Sequence, residues 1–188
     1  MKAKKTARSG PKSTVRNGGR KGARLRRQRG YHWEDTLVKR FNGIDGWSAF
    51  RLGSPSTGLP DVLAVSTTKN TIFAIEAKSG SGTALYVPAE QIQRCMVWVK
   101  TFGRYKKRDV LLAFKFLSKK RVGTGKYESR QLREYYKAWN LDLNAADCVC
   151  TYDGRLYSRT GKIRTEMYLK ERVMPFKTRH SQKSADHF

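Results

Sequence analysis

Three residues in the stretch "GLPDVLAVSTTKNTIFAIEAKSG", Gly58 to Gly80, carry charge where a buried strand should have none: Asp61, Glu76 and Lys78. Side chains on a strand alternate between faces, so Glu76 and Lys78 share one face, roughly 6.5 Å apart. Asp61 opens the neighbouring strand of a predicted hairpin and can lie across from them. Unpaired buried charge is costly, so such a cluster persists only when its members pair with one another or bind something. Two converging carboxylates are hard oxygen ligands of the kind that hold Mg²⁺, with waters and substrate phosphate completing the shell. A neighbouring ammonium can orient a metal-bound water or neutralise charge developing on a phosphoryl group. The same residues also allow a plain salt bridge between Glu76 and Lys78, with Asp61 as a turn residue after Pro60. Spacing alone leaves both open.

The elements that must position these residues are legible around them. Trp33, Leu37, Phe41 and Ile44 recur at helical spacing, with a stop near Asn42 and Gly43. "WSAFRL" reads as a strand, the turn-rich "GSPSTGLP" as a loop, and 61–66 and 71–77 as a hairpin joined by "TTKN". A second helix begins near Pro88 and ends before Gly103, with Ile92, Cys95, Met96, Val99 and Phe102 as its apolar stripe. "VLLAFKFL" is apolar enough for a central strand. The fold class is therefore α/β: a mixed central β-sheet flanked by helices, in the order αβββαβ. Residues 119–188 read as a small β-rich C-terminal appendage, with a short helix in "ESRQLREYYKAWNL", a hairpin at Asp153-Gly154 and a strand in "GKIRTEMYLKERV".

The chain of 188 residues carries 40 Lys+Arg against 15 Asp+Glu, a net charge of +25. A balance that basic points to a polyanionic partner, nucleic acid first. No apolar run approaches the ~20 residues that span a bilayer. The N-terminus lacks the apolar core of a secretory signal, so a cytoplasmic, nucleoid-associated protein is expected. Residues 1–29 hold twelve Lys/Arg and no acid. Almost devoid of large apolar groups, they read as a disordered electrostatic arm preceding a core at 30–118. Cys148 and Cys150, two apart on a predicted strand, read as small buried apolar residues.

The wider pattern is more specific than the triad. "GLPDVLAV…FAIEAKS" resembles the PD-(D/E)XK nuclease motif of the restriction-endonuclease-like fold. With "RQRGYHWEDTLVKRF", "FRLGSPSTG", "LYVPAEQIQRCMVWVKTFG" and "VLLAFKF" in that order, residues 26–117 resemble the archaeal Holliday junction resolvases, the Hjc family.

That resemblance implies a Mg²⁺-dependent endonuclease, with Mn²⁺ as a substitute ion, that cuts opposing strands of four-way DNA junctions in recombination and repair. It makes Glu34 the third acidic residue of the metal site, where periodicity alone suggests only an acid suited to a helix N-terminal turn. Asp61 and Glu76 match the metal-binding carboxylates and Lys78 the catalytic lysine. Arg51 matches a basic residue near the phosphates, the loop residues Ser54, Ser56 and Thr57 match a substrate-proximal segment, and Tyr86 and Gln91 match positions near the active site. Asp35 departs from the family, which often has a basic residue there; Arg26, Arg27 and Arg29 of the arm could supply the missing phosphate contacts. The resemblance further implies a homodimer, because a junction offers two-fold related strands; Trp98, Phe102, Phe114 and Phe116 are candidate aromatic interface residues, with core packing as the equal alternative for at least two of the four. Two other readings stay open: another PD-(D/E)XK repair or restriction nuclease, and a non-catalytic basic nucleic-acid-binding protein.

Overall fold

Central strands buried on both faces and two helical apolar stripes build a layered α/β domain, seen in a computed structural model that describes residues 17–53 and 58–178. The elements are α1 Asn17–Asn42, β1 Ser48–Arg51, β2 Val62–Ser66, β3 Thr71–Gly80, β4 Ala84–Val87, α2 Ala89–Thr101 and β5 Lys107–Phe116. There follow β6 Lys119–Arg121, β7 Tyr127–Ser129, β8 Arg133–Trp139, β9 Asp147–Thr151, β10 Leu156–Thr160, β11 Ile163–Met167 and β12 Lys170–Glu171. The central sheet is six-stranded, in the order β1-β2-β3-β5-β8-β12. Only β3 and β5 are parallel, and a parallel pair needs a crossover, which β4 and α2 provide. The expected αβββαβ series is thus present, with β4 inserted before its second helix.

The β2–β3 hairpin closes with Ser66 opposite Thr71. Its turn places Asn70 at φ 49°, a left-handed conformation that asparagine tolerates. The Asn70 Oδ1 and main-chain O accept from the Lys106 and Lys107 N–H groups at 2.7 and 3.0 Å, which ties the turn to the start of β5.

Each sheet face has its own core. Phe73, Ile75 and Ala77 of β3, with Leu111 and Ala113 of β5, pack beneath Trp33, Leu37 and Phe41 of α1. Ala74, with Val110, Leu112, Phe114 and Phe116, packs beneath Ile92, Cys95, Met96 and Val99 of α2. No helix among the described residues is long and apolar enough to cross a membrane.

Four expectations are corrected. First, α1 begins at Asn17, so residues 17–29 of the arm expected to be disordered are helical; residues 1–16 lie outside the described residues. Once the packed turns around Trp33 nucleate the helix, each further residue adds a hydrogen bond, and "RLRRQ" is made of good helix formers.

Second, the short helix expected in "ESRQLREYYKAWNL" is replaced by β7 and β8. The open edge of β5 pairs with β8 from Val110↔Trp139 to Phe116↔Arg133. Alternation then sends Tyr135 and Trp139 into the α2-side core and Tyr136 into the α1-side core.

Third, residues 119–188 are not an appendage to a core ending at 118. They supply two strands of the central sheet and three of a second sheet, β11-β10-β9-β4, whose β9 pairs with β4. The predicted hairpin is β9–β10 and the predicted final strand is β11. Cys148 and Cys150 of β9 are both buried and free, inside the α2-side core.

Fourth, of the two readings of the four aromatics, Phe114 and Phe116 take core packing: both are fully buried and cannot form a dimer surface. Trp98 and Phe102 are half-buried, with ring centroids 5.8 Å apart.

One cross-layer contact has a large expected energetic effect. Arg40 of α1 donates to both carboxylate oxygens of Glu134 on β8, at 2.6 and 3.0 Å, and to the Tyr136 hydroxyl at 3.0 Å. The Glu134 side chain is completely buried. Removing one member of a buried pair leaves the other charge uncompensated, at a cost of about 3–5 kcal/mol. Glu134→Ala is therefore expected to lower Tm in a thermal melt by roughly 10 °C or more for a chain of this size.

Candidate active site

The antiparallel register that sets Val62 opposite Ile75 brings Asp61, one residue earlier, against the end of β3 that holds Glu76 and Lys78. Asp61 is fixed there from both sides. Its Oδ2 accepts the Ala77 N–H at 2.9 Å, and its main-chain O accepts the Leu52 N–H at 3.0 Å. A β-carbon on Gly53 would stand 3.2 Å from Asp61 Cα and 3.3 Å from its Oδ1, so a side chain there would crowd the carboxylate.

Glu76 is fully buried and its two oxygens are divided between two cations. Lys78 Nζ donates to Oε1, and Arg94 Nη2 of α2 donates to Oε2 at 3.1 Å. Burial raises the Glu76 carboxyl above its usual range and Asp61 adds to the rise, while Lys78 and Arg94 oppose it. Arg94 was absent from the sequence-based candidates. The available signal was an arginine between Ile92 and Cys95 in a helix that had to cover the face bearing Glu76; only the packing of α2 shows its reach.

Glu34 arrives from the opposite layer. It lies on α1 beside Trp33 and Leu37, 7% exposed, and its Oε2 is buried without a hydrogen-bond partner among the described residues. Burial pushes its carboxyl up to about 7; the Asp61 and Glu76 charges raise it, and Arg51 and Lys78 pull it down. Three carboxylates from two layers therefore act on one another at the end of the sheet where β2 begins and β3 closes.

Among the described residues, no three His, Cys, Asp or Glu side chains are gathered closely enough to hold a metal ion. The donor set nonetheless fits a hard divalent cation. Glu34 offers an unpartnered buried oxygen, one Asp61 oxygen is taken by a single backbone N–H, and a cation would relieve the mutual repulsion of the carboxylates. Glu76, engaged by Lys78 and Arg94, is the most committed of the three.

Around this cluster, Arg51 is exposed at the end of β1, its Nε 3.6 Å from Asp35 Oδ1 and its guanidinium 5.0 Å from the Tyr31 ring centroid. Asp35, the departure from the family pattern, thus faces the arginine expected near the phosphates. Gln91 lies one helical turn before Arg94, with a buried Oε1 lacking a partner among the described residues. Tyr86 is not drawn into the cluster: it is exposed on β4 beside Asp147, which raises its phenol. Asp147 Oδ1 also accepts the Ala89 N–H at 2.9 Å, so it caps α2 from β9. Ser54, Ser56 and Thr57 lie outside the described residues, as do the side chains of Arg26, Arg27 and Arg29, whose backbone is in α1.

A family model described as archaeal Holliday junction resolvase (Hjc) matches residues 25–149, more than half of the chain. The chain belongs to the archaeal Holliday junction resolvase family. It is accordingly a nuclease of the resolvase kind, acting on junction DNA. The match runs through β8 into β9, well beyond residue 117, in agreement with the place of β8 in the central sheet. Among solved structures the resolvase is similar to Archaeoglobus fulgidus Hjc at 20% identity, over 60% of this chain and 78% of that one, with a TM-score of 0.41. No curated protein matches it.

The raised Glu34 carboxyl makes the resolvase's stability depend on pH. In the unfolded chain Glu34 releases its proton near 4.5, and in the folded chain near 7. Between those values the folded state binds more protons, so stability is expected to fall as pH rises from 4.5 to 7. The loss is at most about 3 kcal/mol. Glu34→Gln should flatten this segment of the Tm-against-pH curve and be more stable than wild type at pH 8.

Proposed function

We propose that the protein is a divalent-metal-dependent junction endonuclease that hydrolyses phosphodiester bonds in opposing strands of a four-way DNA junction. The observation that carries this reading is the conjunction of a buried Glu76 gripped by Lys78 and Arg94, Asp61 laid against the same strand, and a Glu34 oxygen without a partner among the described residues. Glu34, Asp61 and Glu76 would hold Mg²⁺, or Mn²⁺ in its place. The ion supplies Lewis acidity and charge neutralisation at the scissile phosphate.

The protein's own groups do the positioning. Arg94 holds one Glu76 oxygen, which steadies the carboxylate from the α2 side. Lys78, whose side chain is 25% exposed, carries its ammonium to the edge of the site, where it can hold the attacking water or face charge developing on the phosphoryl oxygens. Arg51, exposed and beside Asp35 and Tyr31, would meet a phosphate next to the reacting one. The +25 charge gathers and holds the DNA backbone. A homodimer would present two such sites to the two-fold related strands of a junction.

The decisive experiment is a nicking assay on a synthetic four-way junction with and without Mg²⁺, paired with competition by linear duplex of the same sequence. Metal-dependent paired nicks and preferential junction binding are expected. Equal affinity for the duplex would overturn the junction assignment, and nicking that survives exhaustive chelation would overturn the metal dependence.

A further inference from the structure

At the other end of the parallel pair, where Thr71 opens β3 opposite Lys107 of β5, a cavity of about 370 Å³ is lined by Trp47, Lys69, Lys107 and Arg172. Thr71 and Glu76 are five residues apart on one strand, about 17 Å at ~3.3 Å per residue, so this cavity is distinct from the carboxylate site.

Its donors are fixed in place and short of acceptors. Trp47 stacks on Phe73, with ring centroids 5.1 Å apart, and the Arg172 guanidinium lies over the same Phe73 ring at 5.3 Å. The Arg172 main-chain N–H bonds to Tyr136 O at 2.7 Å, which anchors the segment on β8. Yet Trp47 Nε1 and Arg172 Nε are both buried without an acceptor among the described residues. Arg172 spends Nη2 on Asp109 at 3.2 Å, and among the described residues neither Lys69 nor Lys107 is ion-paired.

Buried N–H groups without acceptors destabilise a fold unless something accepts from them. Both belong to side chains that line a cavity to which three cationic side chains contribute and no carboxylate does. A tetrahedral oxyanion meets both demands, offering several acceptor oxygens and negative charge.

We propose that this cavity is a phosphate-binding site, with Trp47 and Arg172 as its N–H donors and Lys69 and Lys107 as its charge. The phosphate can come from the DNA backbone of a junction arm or from free phosphate. The site does not depend on the proposed chemistry at Asp61 and Glu76, so its failure and theirs are separable.

The test uses the full ¹⁵N-labelled chain, whose four tryptophans give few indole resonances. Trp47→Phe keeps the ring stack and identifies the Trp47 signal. Titration with inorganic phosphate, against chloride at constant ionic strength, should move that signal saturably. The double variant Lys69→Gln, Lys107→Gln should weaken the effect by roughly tenfold or more. A Trp47 signal that responds to phosphate no more than to chloride, in a chain with wild-type Tm, overturns the site. With linear duplex as the probe, movement of the same signal and a salt slope shallower by about one to two in the double variant would identify the DNA backbone as the source. A response to inorganic phosphate without those changes would identify free phosphate instead.

Discussion

Asp61→Asn is expected to reduce nicking of a four-way junction by at least about 10³-fold while leaving junction affinity within about threefold of wild type. The substitution is mild for the fold. Asn retains a side-chain oxygen that can accept the Ala77 N–H, so the bond that lays the side chain against β3 persists. What disappears is one of the charges that a divalent cation would meet between Glu34 and Glu76. Binding is spread over many basic groups in a chain of net charge +25, so the loss of one carboxylate should not weaken it.

Glu76→Gln is the companion variant, with a complication that the structure makes plain. Lys78 and Arg94 both rest on the Glu76 carboxylate, and Arg94 is only 13% exposed. Neutralising Glu76 leaves those cations uncompensated, so lost activity must be measured alongside Tm to separate chemistry from unfolding. Metal-dependent nicking that persists in both variants, each folded, would exclude this cluster as the catalytic centre.

Truncation after residue 120 is expected to abolish cooperative folding, read as the loss of a single unfolding transition by circular dichroism. It removes β8, which pairs with seven residues of β5 from Val110 to Phe116, and it removes β9, the partner of β4. It also strips Tyr135, Trp139, Cys148, Cys150 and Leu156 from the α2-side core, and Tyr136 and Met174 from the α1-side core. At about 1.5–3 kcal/mol for each large apolar side chain buried, that loss is comparable to the whole net stability of an ordinary domain, about 5–15 kcal/mol. The exposed edge of β5, rich in Val, Leu and Phe, would also favour aggregation. A truncated chain that melts cooperatively near the wild-type Tm would show that β8 to β12 are dispensable.

The readable parts of this protein were those written at short range. Strand alternation places Glu76 and Lys78 on one face, helical spacing selects Trp33, Leu37 and Phe41, and "TTKN" and Asp153-Gly154 close their hairpins, because each pattern repeats within a few residues. The ordered motifs from Arg26 to Leu117 identified the family, which the match over residues 25–149 establishes.

The parts left to tertiary structure were those in which distant segments complete one another. "REYYKAW" has residues compatible with a helix, and it is a strand because β5 has an open edge and both sheet faces have room for its aromatics. Arg94 meets Glu76 across 18 residues, and Arg40 meets Glu134 across 94. Periodicity decides which way a side chain points; which charge waits there depends on how the layers pack, since burial permits few arrangements that leave every charge paired. The sequence by itself therefore pointed to the Asp61, Glu76 and Lys78 cluster and to the face that Glu76 and Lys78 share, and the resemblance added Glu34 to it. Only the fold decided that Arg94 would join it and that Glu34 would come from the opposite layer with an oxygen unpartnered among the described residues.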